Sequence, residues 1–328
     1  MTCRVIFIPA LALACTLIGE AYAQQGTAAG DYPGKPIRLI VPVAYGGGTD
    51  IIARLIGQGL NDSWGQPVIV DNRPGGGGIL GVGMVASSSA DGHTLLVASN
   101  GHLSFLPALQ SRLPYDPQKD LKPVSLIGKQ PFVLAVHPSL PANSVKDLVA
   151  LAKARPGAIN YGSGGVGTVL HIAIELLQSL GGVSMLHVPY KGSGVAVTAL
   201  IGNEIQVMVG GIATMLPHIA KGSIRALAVT GARRSELAPE LPTIGETLPG
   251  YELDVWYGMV APGGTPATIV TKLSSEVARV LKTRAISERF AAMRIEPLHN
   301  RPEQFAELIR DETAKWRKVV RSANIRVE

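Results

Sequence analysis

Twice along this chain an apolar strand runs into a Gly/Ser/Thr-rich loop and then into an amphipathic helix. The first unit spans residues 37–56, with Tyr45-Gly46-Gly47-Gly48-Thr49-Asp50 as its loop; the second spans residues 159–176, with Gly162-Ser163-Gly164-Gly165-Val166-Gly167-Thr168 as its loop. Each loop delivers free backbone N–H groups at a helix start, which is a ready anion site. Two such units, far apart in sequence, point to two lobes that close on one negatively charged ligand.

The rest of the chain fits an α/β protein. Its 328 residues suffice for two cores, and hydrophobic residues make up 46% against 16% charged, which excludes a disordered chain. Strand-like and helix-like segments alternate, as expected for mostly parallel sheets flanked by helices. Strands are expected at 37–43, 67–70, 94–99, 132–136, 185–188, 205–209, 224–230 and 256–261. Helices are expected at 49–60, 82–86, 145–154, 195–201, 267–282 and 302–323, with Ser144 capping the third. Residues from Leu113 onward read as a loop-rich crossing. The inserted series and the later return strand give lobe 1 as 24–129 plus 254–328, and lobe 2 as 130–253.

Residues 1–23 read as an export signal: Arg4, an apolar run from Val5 to Ile18, then Ala21-Tyr22-Ala23 as a cleavage site. Both cysteines, Cys3 and Cys15, fall within it. The exported chain is then expected to lack disulfides, thiol nucleophiles and Cys-based metal sites. The net charge is +6 but scattered. Without a basic run interleaved with aromatics, nucleic-acid binding is not expected.

Templates that would require chemistry fit poorly. Residues 162–167 match G-x-G-x-x-G, but the following strand ends at Pro189-Tyr190-Lys191 without the acid a dinucleotide site needs. The first loop has Asp71 in that role and lacks the third glycine. Neither loop carries the lysine of a P-loop. A nucleophile elbow at Ser163 would need glycine where the chain has Tyr161. The histidines lack metal-ligand spacing. No cofactor or metal is expected. Asp50 can cap its helix or pair with Arg54 four residues on, or touch ligand. Thr168 has the same choice, His171 on the first helical turn can donate to ligand or pack, and Tyr45 would wall a cleft.

The ordered motifs carry a resemblance. Tyr32-Pro33-Gly34-Lys35-Pro36-Ile37-Arg38-Leu39-Ile40-Val41-Pro42, Gly-Gly-Gly-Thr-Asp, Asp71-Asn72-Arg73-Pro74-Gly75, Asp91-Gly92-His93-Thr94, Leu113-Pro114-Tyr115-Asp116-Pro117, His187-Val188-Pro189-Tyr190-Lys191-Gly192 and Ala261-Pro262-Gly263-Gly264-Thr265-Pro266 follow one another along the chain. In this the chain resembles the tripartite tricarboxylate transporter substrate-binding proteins, the Bug or TctC-like family. That resemblance implies a two-lobed, type II (Venus-flytrap) periplasmic binding protein that is no enzyme. It implies a monomer that holds a small organic carboxylate and hands it to a two-component membrane permease. The ligand is expected at strand ends and loops: Ala44, Tyr45, Gly46, Gly47, Thr49, Asp50, Ser99 and Asn100 from lobe 1, and Ser163, Gly164, Gly167, Thr168, His171, Tyr190 and Gly210 from lobe 2. Ligand presentation to a sensor protein, or a secreted hydrolase acting through Ser163, are the alternatives.

Overall fold

A computed structural model describes Thr2 and residues 32–110, 112–130, 132–235 and 238–322. The expected export signal and its cleavage point after Ala23 lie outside the described residues. The first strand–loop–helix unit consists of β1 (Ile37–Val41) and α1 (Gly48–Trp64). α1 buries Ile52, Ala53, Ile56 and Leu60, a stripe at helical spacing, and stops at Gly65, whose left-handed backbone lets its N–H bond the Asn61 carbonyl. Then come β2 (Val68–Asn72), α2 (Ile79–Ala86) and β3 (Thr94–Ser99). A π-helical turn, Gly101–Phe105, runs into α3 (Leu106–Leu109). β4 (Leu121–Gln130) leads almost directly into β5 (Phe132–Val136).

The second lobe continues with α4 (Val145–Ala154), β6 (Asn160–Ser163), α5 (Val169–Gly181), β7 (Leu186–Pro189), α6 (Ser193–Ile201), β8 (Val207–Gly211), α7 (Ile212–Ala220) and β9 (Arg225–Val229). The chain returns through β10 (Val255–Pro262), α8 (Ala267–Leu281), α9 (Arg284–Ala292), β11 (Glu296–Pro297) and α10 (Pro302–Ser322).

Two sheets result, in the orders β11-β4-β10-β3-β1-β2 and β7-β6-β8-β5-β9. Pair directions leave only β10 and β11 reversed in the first and only β5 in the second. Each sheet is therefore mostly parallel and flanked by helices, as expected. The reversal has a simple origin for β5 and β10. Each enters its sheet from the other lobe and not through a crossover helix, so nothing forces it to run parallel. Strand alternation sorts the core: Leu39, Val41, Leu95 and Val97 pack on one face, and Ile40, Leu96 and Ala98 on the other.

β4 departs from the sequence reading. Pro123, Ser125 and Gly128 look like breakers there. Pro123 is tolerated because it faces Val260 at a register shift, where the extra β4 residue Val124 bulges and interrupts the ladder. Gly128 is required by close approach: a Cβ there would lie 2.8 Å from the Glu296 carbonyl oxygen. Helices α7 and α9 were also not anticipated; Pro217 inside α7 argues against a helix from sequence. Trp316 of α10 packs on Phe105 at 4.2 Å between ring centroids, as expected of a packing residue.

The same helix carries a buried acid. Glu312 accepts from Asn100 Nδ2 at 3.1 Å and from Trp256 Nε1 at 2.7 Å. Burial nevertheless pushes its carboxyl up to about 7. The folded state thus holds this proton more tightly than the unfolded chain, and the associated stability is lost as pH rises from 4.5 through about 7. Glu312→Gln should therefore stabilise the protein at pH 8, by about 3 kcal/mol at most, and change little at pH 4. Calorimetric melting at both pH values checks this; an equal shift at both would refute it.

Candidate functional site

A cavity of about 1070 Å³ lies between the lobes. Five helix starts line it: those of α1, α2, α5, α6 and α7. Their N-cap residues are Gly47, Gly78, Thr168, Gly192 and Gly211, and none makes a side-chain capping bond. Away from the cavity, Ser144 caps α4 by accepting from the Asp147 N–H, as the sequence indicated. In α2 the Ile79 and Leu80 N–H groups already bond the Gly76 and Gly75 carbonyls, whereas at α1, α5, α6 and α7 first-turn N–H groups are therefore left for something else. Their partial positive charge favours an anion. Among the described residues no Asp, Glu or Arg lines the cavity, and Lys191 is the one formal charge. His102, also in the wall, is kept neutral by burial, which brings its pKa down to about 4.

Of the residues expected to meet ligand, Ala44, Tyr45, Gly47, Thr49, Ser99, Gly164, Thr168 and Gly210 line this cavity. Thr49 is 6% exposed. Its hydroxyl has no hydrogen-bond partner among the described residues. Thr168 donates its hydroxyl to the Gly165 carbonyl at 2.8 Å. Tyr45 is 78% exposed at the mouth, with the Arg54 guanidinium 4.9 Å over its ring.

Seven other expected residues stand outside the lining and brace it. Asp50 is buried, and its carboxylate accepts from Gly46 N–H at 2.9 Å and from Asn72 and Arg54. Burial works to raise its pKa, but those bonds outweigh it and hold the group below the usual carboxylate range. It locks Gly46 and the first loop in place. Asn100 turns away, donating to the Asp254 carbonyl at 2.7 Å where the chain returns to lobe 1. Ser163 is fully buried; its Oγ accepts from Gly165 N–H at 3.1 Å and lies 2.7 Å from His187 Nε2. A nucleophile so enclosed has no route to substrate. Gly167 donates its N–H to His171 Nδ1 at 3.1 Å, so that nitrogen is an acceptor already in use. The His171 ring stacks on His187 at 4.0 Å between centroids. Tyr190 points its hydroxyl toward Glu204, and its neighbour Lys191 lines the cavity instead.

Sequence reasoning missed Gly76–Gly78, His102, Gln130, Ser193, Thr214 and Tyr257 as wall residues. The glycine run was legible as a turn into a helix but not as part of the cavity wall. Ser193, directly after Gly192, could have been found by asking which further helices begin after a glycine. Gln130 and Tyr257 sit on the strands that cross between lobes, joined by a Tyr257 hydroxyl donating to Gln130 Oε1 at 3.0 Å, and nothing local marks them.

Comparisons with known proteins agree with this architecture. The family model described as "Tripartite tricarboxylate transporter family receptor" matches residues 52–325. Protein BugT of Bordetella pertussis is 37% identical over 320 residues, covering 97% of this chain and 98% of its own. Among solved structures, Rhodopseudomonas palustris Rpa4515 with adipate is 35% identical, with a TM-score of 0.85 over 90% of this chain and 99% of that one. MatC from Rhodopseudomonas palustris with bound malate is 32% identical, with a TM-score of 0.82 over 88% of this chain and 100% of that one. A two-lobed fold closing on an acid-free, N–H-lined cavity, with relatives matched along their full length, leaves one assignment: the chain belongs to the tripartite tricarboxylate transporter receptor family, as a solute-binding receptor of Bug type and not an enzyme.

Proposed function

We propose that this receptor captures a small organic carboxylate between its lobes and delivers it to a two-component membrane permease. The observation that carries this is the convergence of five helix starts without side-chain caps, those of α1, α5, α6 and α7 with first-turn N–H groups still to be paired, on a cavity without acidic lining. The relatives with adipate and malate support the ligand class. Lobe 1 is read as 24–129 plus 254–328 and lobe 2 as 130–253. The chain acts in the periplasm as a monomer after cleavage behind Ala23.

Backbone donors suit a carrier. They recognise a carboxylate without a buried cation that would be left unpaired when the ligand departs. Charge-assisted hydrogen bonds contribute about 1.5–3 kcal/mol each. Four of them, less the costs of association, reach about micromolar affinity.

A thermal-shift screen over amino acids, dicarboxylates and aromatic acids tests the reading. A ligand at 100 times its Kd should add about 2.7 kcal/mol of stability. No shift with any carboxylate would defeat it. Thr49→Val should weaken the ligand found about tenfold, about 1.4 kcal/mol. Thr168→Val should act less, because its hydroxyl already donates within the loop. Unchanged affinity in both variants would remove these residues from the site.

A further inference from the structure

The chain passes from the first sheet to the second between Gln130 and Phe132, and returns between Leu253 and Val255. On the side of the second sheet both passages are tied to Thr230. Its N–H donates to the Phe132 carbonyl at 2.9 Å, and its own carbonyl accepts from the Leu253 N–H at 2.9 Å. On the side of the first sheet, Val255 already pairs with Gln130. Asp254 lies between those two attachments, so a rotation of one lobe against the other turns its backbone.

The Asp254 carbonyl is held by Asn100, whose Nδ2 donates to it at 2.7 Å. Asn100 follows β3 and is fully buried. The same nitrogen donates to Glu312 Oε1 at 3.1 Å, and Glu312 also accepts from Trp256 Nε1 at 2.7 Å. Both amide hydrogens are thus spent, whereas Oδ1 has no partner among the described residues. A buried amide that leaves its carbonyl idle is there for its two donors. One donor fixes the amide to α10, and the other reaches the return passage. Next in the chain come Gly101, where a Cβ would lie 2.4 Å from Val169 Cγ2 of α5, and His102 of the cavity wall. One short segment therefore meets the return passage, the facing lobe and the cavity. Glu312 keeps Asn100 with the first lobe while Asp254 turns with the passage. A hydrogen bond weakens steeply as its angle opens, so this one is made in full at one setting of the lobes.

We propose that Asn100 is a positioning residue of the hinge: its bond to the Asp254 carbonyl holds the return passage at the setting in which α5 lies against Gly101, and so favours closure over any ligand. This rests on the reading of the cavity as a carboxylate site and adds how that site is kept shut. Asn100 is not among the cavity-lining residues. It acts on the closure equilibrium and not on the ligand, so every ligand that needs the closed lobes gains by the same factor.

The test is calorimetric titration of wild type, Asn100→Ala and Asn100→Leu with adipate and with malate, each replaced by the tightest carboxylate of the thermal-shift screen where it does not bind. Leucine fills the space of the amide without its donors. Both variants should weaken both ligands about 3- to 10-fold, by factors that agree within about twofold. A second measurement needs no variant to fold. In wild type the Asn100 side-chain amide protons, followed by NMR, should exchange with solvent at least about tenfold more slowly with ligand bound than without. Unchanged affinity in the variants, with or without a lowered melting temperature, would show a bond that serves the fold alone and overturns the proposal. So would a loss confined to one ligand, or amide exchange that ligand does not slow. Each of these leaves the carboxylate reading standing. Binding of no carboxylate at all defeats that reading and this one with it.

Discussion

Gly101→Ala should weaken ligand binding by roughly 5- to 150-fold while leaving the ligand-free protein as stable as before. The new methyl would lie 2.4 Å from Val169 Cγ2, across the cleft. Val169 is β-branched and sits in the first turn of α5, so its methyl has little freedom to yield. Gly101 has no left-handed backbone to protect, and within its own lobe alanine is an ordinary helical residue. Within lobe 1 the methyl would also lie 3.2 Å from Ser99 Oγ, a contact a small hydroxyl shift relieves, so the severe overlap is the one with lobe 2. Overpacking of this kind costs about 1–3 kcal/mol, and here it falls mainly on the contact between lobes, hence on affinity. Val169→Ala in the same chain should restore much of the loss, and the four-variant cycle measures the coupling. Equal binding by Gly101→Ala and wild type would mean that ligand is held without this contact. A drop in the ligand-free melting temperature would mean that the strain is inside the lobe.

That contact shows where reading from sequence ran out. The strand–loop–helix grammar was legible because it is local: β1, β3, β5 and α4 fall where hydrophobic patterning and capping place them. The two jaws were legible for the same reason. Their pairing across the cleft was not, because it depends on which loops the two sheets bring together. Gly101, inside a π-helical turn after β3, has no local sign that α5 lies against it. Asp50, Ser163 and His171 were read as residues that could touch ligand, and each instead spends its polar atoms holding a loop. Sequence places them within a residue or two of the cavity-lining helix starts, and at that range only geometry separates a wall residue from its brace. β4 was hidden by breakers whose tolerance depends on its own bulges, which exist only in its pairing with a strand more than a hundred residues later.

One of those braces makes ligand affinity sensitive to acid. His171 is held neutral by burial, with repulsion from His187 adding to it, and its pKa falls to about 4; burial lowers His187 as well. The stack faces Glu175, 3.8 Å from His171 Nε2, but that carboxylate already accepts from Tyr161 and Gln178. Both folded pKa values lie below the ordinary 6.5, so the unfolded chain takes up protons first. The stability owed to this pair is present above 6.5 and is lost as pH falls toward 4, at about 3 kcal/mol for His171. Glu312 works in the opposite direction over an overlapping range, so the measurement belongs in the Glu312→Gln background. There, urea unfolding should show a steep loss between pH 7 and pH 4, and His171→Gln should flatten it. The functional consequence follows from Nδ1. Protonation turns the acceptor of the Gly167 N–H into a donor, so the loop that positions the start of α5 loses its tie. Affinity for a fully ionised ligand should then hold between pH 7 and pH 5 in wild type and fall as pH drops further through about 4. It should fall less in His171→Gln, whose amide oxygen stays an acceptor throughout. Parallel affinity–pH curves for the two proteins would show that the histidine stack has no part in shaping the ligand-binding loop.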